Sequence, residues 1–168
     1  MPMKYLNHFI IAISSLAILL SAYSVYEPSD KEEKSYEYLN QELENAKSFT
    51  LEVMEAMPEE NYGYKPGEEM RTFRAQGFHI AYSLEWFTAQ IKREPIPWEP
   101  GDEDRLSKEE LIEYTAAQFD DFISFIQGAE ENGQLTAAVL RTLRHNSHHR
   151  GQMVAYFRAN GMAPPAYR

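Results

Sequence analysis

Residues 145–168 read HNSHHRGQMVAYFRANGMAPPAYR, and the helix that contains the first part of this stretch decides the fold. Apolar residues recur at helical spacing from about residue 134 to about residue 160, which predicts one long amphipathic helix. Gly161 is a natural residue to end this helix, and the prolines at positions 164 and 165 prevent its continuation. The sequence therefore predicts a long fourth helix that ends near residue 160.

Two histidines of this helix share one face. His145 and His149 are four residues apart, on the side that we take to be buried, whereas His148 falls on the other flank and is expected to face solvent. Two imidazoles at this spacing can bind a single ion. The spacing also occurs by chance, and buried histidines can be core residues that donate to a carbonyl or a tyrosine hydroxyl.

Three further segments have the periodicity of amphipathic helices. They span about residues 34–57, about residues 71–92, and a third helix that Ser107 opens with a capping box to Glu110. No segment has a convincing strand pattern. We therefore expect an all-α protein in which residues 34–168 form a four-helix bundle.

The connection between the second and third helices is long. The 13 residues from Glu94 to Leu106 contain three prolines and show no periodicity. Fully extended, they could cover roughly 45 Å, more than the length of a helix of about 20 residues. We expect this long crossover to run along the bundle and to leave helices two and three parallel.

A third histidine lies on the second helix. His79 flanks the apolar stripe and shares its side with the polar residues Gln76, Ser83 and Gln90, where a plain bundle would prefer leucine. Three inward histidines on two helices favour a metal site as strongly as they favour an ordinary polar core. Three histidine ligands would leave a fourth position open, which is typical of catalytic sites. Metal binding should weaken as the pH falls through about 6.5, because ligating imidazoles must be neutral.

Four other residues near these histidines have two interpretations each. Arg150 and Gln152 could orient a substrate or support a ligand, but we favour packing against the first helix or a dimer partner. Tyr156 could donate a proton near the site, and Trp86 could form a platform for a substrate. We interpret both aromatic residues as core.

The N-terminal segment differs from the rest of the chain. Residues 9–26 read FIIAISSLAILLSAYSVY and carry no charge, with Lys4 before them and acidic residues after them. This pattern predicts that residues 1–24 are a cleaved signal peptide or a membrane anchor, followed by a linker at 25–33. In both cases the domain lies outside the cytoplasm, exported to the periplasm or medium or tethered to the membrane.

Composition excludes several classes of function. Cysteine is absent, so disulfides, thiolate ligands and a cysteine nucleophile are all excluded. The formal net charge of -10 repels a phosphate backbone, so we expect no nucleic-acid partner.

The quoted stretch resembles the fourth-helix signature of the DinB/YfiT-like superfamily, in which HxxxHRGQ is followed by an aromatic-rich turn, a glycine and a proline pair. MRTFRAQGFHIAYSLEWF at 70–87 is similar to the second helix of that family, and NYGYKPGEEMRTF at 61–73 is similar to the loop before it. The similarity covers about residues 36–168. It implies a four-helix bundle with parallel second and third helices.

The resemblance also implies a divalent metal ion, often zinc or nickel, bound by one histidine of the second helix and two of the fourth. These positions are His79, His145 and His149. Some members of the family are transferases or isomerases that use small thiols such as bacillithiol or mycothiol. An exported domain would not meet a cytosolic thiol pool, and the short link between helices three and four is a second departure from the family.

The function that we predict is that of a divalent-metal-dependent enzyme for hydrolysis or group transfer, with a small-molecule substrate that the sequence does not identify. The alternatives are a non-catalytic metal-binding module and a bundle for protein partners. A homodimer is a further expectation for the bundle.

Overall fold

The structure is a computed structural model that describes residues 35–96 and 102–167, so the predicted export segment and linker lie outside the described residues. Within these ranges the chain is all-α and contains no strand. Its four helices are α1 (Ser35–Ala56), α2 (Phe73–Lys92), α3 (Lys108–Gln127) and α4 (Gly133–Ala159). Two short 3-10 helices, Glu59–Asn61 and Asp102–Asp104, lie in the connections. None of the described helices is both long and apolar enough to cross a membrane.

The ends of the helices follow from local chemistry that the sequence predicts. The Ser107 hydroxyl accepts from the Glu110 amide and the Glu110 carboxylate accepts from the Ser107 amide, which forms the expected capping box at the start of α3. Gly161 has a φ of 74° after α4, where a side chain would be strained. There the Met162 amide donates to the carbonyl of Phe157 at 2.8 Å.

The apolar stripes of the helices meet in one core. α1 packs against α3 and α4, and α2 packs against the same two helices. Gly77 allows α2 to approach its neighbours closely, because an added Cβ would lie 3.2 Å from Met54 Cε and 3.5 Å from Leu111 Cδ2. The largest fully buried side chains include Tyr62, Phe73, Phe119, Phe122, Tyr156 and Phe157.

Contacts between α2 and α3 show that these two helices are parallel. Near their first turns, the Arg74 guanidinium donates to the Leu106 carbonyl. Farther along, the Lys92 ammonium lies 5.2 Å from the ring centroid of Phe125. The start of α2 thus lies beside the start of α3, and their ends lie together, as the length of the connection predicts. Residues 97–101 of that connection lie outside the described ranges.

Candidate metal centre

Three histidines from two helices meet on the inner side of the bundle. The ring centroid of His79, on α2, lies 5.0 Å from that of His145 and 4.4 Å from that of His149, and the two rings of α4 are 4.6 Å apart. One ring nitrogen from each histidine can be chosen so that all three lie within 4.8 Å of one another. The three predicted residues therefore form a single cluster that could hold a metal ion.

The tautomer of His149 is set by a glutamine of the facing helix. His149 is 7% exposed, and its Nδ1 lies 2.8 Å from Oε1 of Gln76. An amide oxygen can only accept, so Nδ1 carries the proton and donates. In the neutral ring Nε2 then has a free lone pair, which is the arrangement that a metal ligand needs.

Gln76 is itself held by two side chains of α4. Its Nε2 donates to Gln152 Oε1 at 2.6 Å and to the Tyr156 hydroxyl at 3.3 Å. The Tyr156 hydroxyl in turn donates to the Arg71 carbonyl at 2.9 Å. A chain of buried and partly buried hydrogen bonds thus fixes the orientation of the His149 ring.

Gln152 corrects one expectation from the sequence. We expected Gln152 to be a packing residue, but it supports a candidate ligand through Gln76. Arg150 behaves as expected, because its guanidinium donates to the Ala46 carbonyl and to Thr50 Oγ1 on α1 and lies 5.1 Å from the centroid of Phe49. Arg150 therefore contacts α1, whereas Gln152, two residues later, contacts α2.

The environment keeps all three imidazoles neutral. Burial, reinforced by Arg71 and His145, lowers the pKa of His79 from 6.5 to about 4. Burial, reinforced by the charges of the other histidines and Arg71, lowers the pKa of His149 to about 3. The pKa of His145 is also lowered, mainly by burial and then by His148 and Arg71. Neutral imidazole is the form that binds metal.

An unpaired nitrogen provides a test of whether a metal fits this cluster. The Nε2 atom of His145 is buried and has no hydrogen-bond partner within the described part of the chain. A buried nitrogen without a partner destabilises a fold by about 1–3 kcal/mol. A cation shared with His79 and His149 would satisfy this nitrogen, so the residues present fit a metal ion.

His148 is not one of the three clustered histidines, but it lies next to them. Its side chain is exposed, as expected, and it is absent from the group of three candidate ligands. Its Nε2 is nevertheless 3.0 Å from Gln152 Nε2, and its ring centroid is 5.0 Å from that of His149. His148 therefore lies at the mouth of the site.

A pocket of about 690 Å³ opens beside the cluster. His79 and His145 line it, together with Tyr82, Ser83, Trp86, Phe87, Arg141, Arg144 and His148. The interpretation of Trp86 as a core residue is wrong, because its side chain is 39% exposed and forms part of the pocket wall. Tyr156 is a buried core residue, as expected.

Asn146 is a polar residue near the site that the sequence analysis missed. Its side chain is 1% exposed, and its Oδ1 accepts from the hydroxyl of Ser83, a pocket residue, at 2.8 Å. Its position in the sequence could have identified it, because Asn146 follows the buried Thr142 by one helical turn and precedes His149 by three residues, on the same helix face. A polar residue on that face indicates a polar partner on α2.

Comparison with known proteins identifies a family for this chain. The family model described as the DinB family matches residues 29–168, which is most of the chain. No curated protein matches the chain.

Proposed function

Because the chain belongs to the DinB family, we propose that His79, His145 and His149 bind one divalent metal ion and that the loaded site catalyses hydrolysis or group transfer. The ligand set consists of imidazoles without thiolate or carboxylate, which suits zinc or nickel better than magnesium or calcium. We further propose that the domain acts outside the cytoplasm, on a small molecule.

The observation that carries this proposal is the position of the cluster against the pocket. His79 and His145 line a space of about 690 Å³, whereas His149 is buried behind them. Three protein ligands would leave a coordination position for water or substrate, and an open pocket beside the cluster favours catalysis over metal storage. When bound, a divalent ion supplies Lewis-acid chemistry.

The residues of the chain hold and shield this site. Gln76 fixes the His149 ring with Nε2 free, and Tyr156 and Gln152 fix Gln76. Phe87 packs edge-on against His145, with ring centroids 5.7 Å apart and an interplanar angle of 81°. Phe87 also lines the pocket, so it covers part of the His145 ring with apolar surface on the pocket side.

The test is the metal content of single histidine variants of the purified protein. His79→Ala, His145→Ala and His149→Ala should each lower the bound zinc or nickel to a small fraction of the wild-type content. His148→Ala is the matched control, because it removes a neighbouring imidazole that is not in the cluster, and it should keep the wild-type stoichiometry. Equal metal content in all five proteins would refute the site.

Catalysis requires a second measurement. Wild-type protein loaded with metal and the His145→Ala variant should be screened side by side with esters, phosphoesters and group-transfer substrates. Turnover that depends on the added metal and disappears in the variant supports an enzyme. A loaded site without any such turnover would favour a non-catalytic metal-binding module.

A further inference from the structure

The pocket beside the histidine cluster has two chemically different walls. Tyr82, Trp86 and Phe87 of α2 contribute aromatic surface, and Arg141, Arg144 and His148 of α4 contribute basic groups. No carboxylate lines this pocket in the described part of the chain.

The basic groups form a continuous stripe on α4. Arg141 and Arg144 are three residues apart and His148 follows Arg144 by four, so successive side chains lie one above the other on the helix. Both arginines are exposed. Neither forms an ion pair with any residue in the described ranges. Their charges are therefore available to a ligand.

This stripe contrasts with the charge of the whole chain. The formal net charge is -10, so an anion is repelled from most of the protein surface. A local group of unpaired arginines next to low-dielectric walls focuses a positive potential on the pocket. Arg71, which helps to lower the pKa of His79, adds a further positive charge near the cluster.

The aromatic wall offers surface that an apolar ligand would bury. Trp86 is 39% exposed and is held edge-on against Phe87, with centroids 5.1 Å apart and an interplanar angle of 79°. Removing such apolar surface from water stabilises a complex. A planar or aliphatic group would fit against this wall.

We propose that the pocket binds an organic anion, with its apolar body against Trp86 and Phe87 and its acidic oxygens on Arg141 and Arg144. The proposal names the substrate class of the site and rests on the proposed function in that respect. Carboxylate, phosphate and sulfonate share the required chemistry, because each presents two or more oxygens to a guanidinium.

A pair of fluorescent probes separates the two walls. Anilinonaphthalenesulfonate is an aromatic anion, and phenylnaphthylamine has a similar aromatic body without the charge. The Arg141→Gln/Arg144→Gln double variant should weaken the binding of the sulfonate on the order of tenfold, as expected for two exposed charge contacts, and should leave the neutral probe unchanged. Trp86→Ala should weaken both probes. Arg158→Gln, an exposed arginine on the same helix outside the pocket, is the matched control and should change neither.

Two observations would overturn the proposal. One is equal affinity of the double variant and the wild type for the sulfonate. The other is equal displacement of the sulfonate by naphthol, naphthoate and naphthyl phosphate, because the proposal requires the two anions to compete better than the neutral alcohol. The circular dichroism of each variant must match that of the wild type, and the two single arginine variants provide the same comparison if the double variant unfolds.

Failure of this proposal is distinguishable from failure of the metal site. His149 does not line the pocket, so His149→Ala should lose metal and still bind the sulfonate in preference to the neutral probe. If the His149→Ala variant keeps its metal and still prefers the sulfonate, His149 is not a metal ligand, but the anion pocket remains supported.

Discussion

Gln76 determines which nitrogen of His149 carries the proton. We expect Gln76→Leu to lower the metal affinity about 10–100-fold, because the ring loses the acceptor that fixes its tautomer and orientation. Competition titration against a chromophoric chelator measures this change. Gln76→Glu keeps an acceptor and should retain more affinity than Gln76→Leu. Gln90→Leu, at an exposed position on the same helix, should have no effect, and equal losses in the Gln76→Leu and Gln90→Leu variants would contradict the role of Gln76.

The lowered pKa values change the expected pH range of metal binding. The sequence alone predicts that metal is lost as the pH falls through about 6.5. In the folded protein the pKa of His79 is about 4 and that of His149 is about 3, so protons compete with metal only at lower pH. Metal occupancy at saturating zinc should therefore persist at about pH 5.5 and fall as the pH approaches about 4. Loss of half the metal near pH 6.5 would contradict this prediction.

At the scale of single residues, the histidine cluster was predictable and its surroundings were not. The spacing of His145 and His149 and the family resemblance identify the ligands. The role of Gln152 depends on a contact with Gln76 across 76 positions of sequence, which no local pattern reveals. Trp86 is an apolar residue of a kind usually buried, but it lies in the pocket wall, where the facing helix contributes arginines rather than apolar side chains.

Among the helices, α2 ends in a conformation that its sequence does not favour. Arg93 has a φ of 59°, in the left-handed region. Arg93→Gly should raise the free energy of unfolding by about 0.5–1 kcal/mol, because glycine removes the strain while adding some entropy to the unfolded chain. Gln90→Gly, at an exposed position inside the same helix, should lower it by about 1 kcal/mol. Urea denaturation measures both, and destabilisation by Arg93→Gly would contradict the expectation.

The helices themselves were predictable to within a few residues, because their signals are local. Apolar periodicity, the capping box at Ser107 and the glycine after α4 each depend on residues within one or two turns. The second helix begins at Phe73 rather than near residue 71, since the Thr72 side chain accepts from the Ala75 amide and caps it. The parallel arrangement of α2 and α3 followed from the length of the connection, which sequence also provides.

For the molecule as a whole, the predicted location outside the cytoplasm concerns residues 1–24, which the structure does not describe. We expect protein purified from a native-like host to begin near Val25, or to remain intact in the membrane fraction, because an uncharged apolar run follows Lys4. Intact-mass measurement after cell fractionation checks this prediction. A full-length soluble protein in the cytoplasm would contradict it, and with it the argument against cytosolic thiols as co-substrates.

The three histidines come from only two of the four helices, and all of α3 lies between His79 and His145 in the chain. An ion shared by these histidines would cross-link α2 to α4 and close a loop that contains α3, whereas α1 would remain outside the cross-link. Binding to the folded state raises the free energy of global opening by mass action. We therefore expect added metal to slow amide hydrogen exchange most in α2 and α4, while local fraying of α1 continues at its metal-free rate.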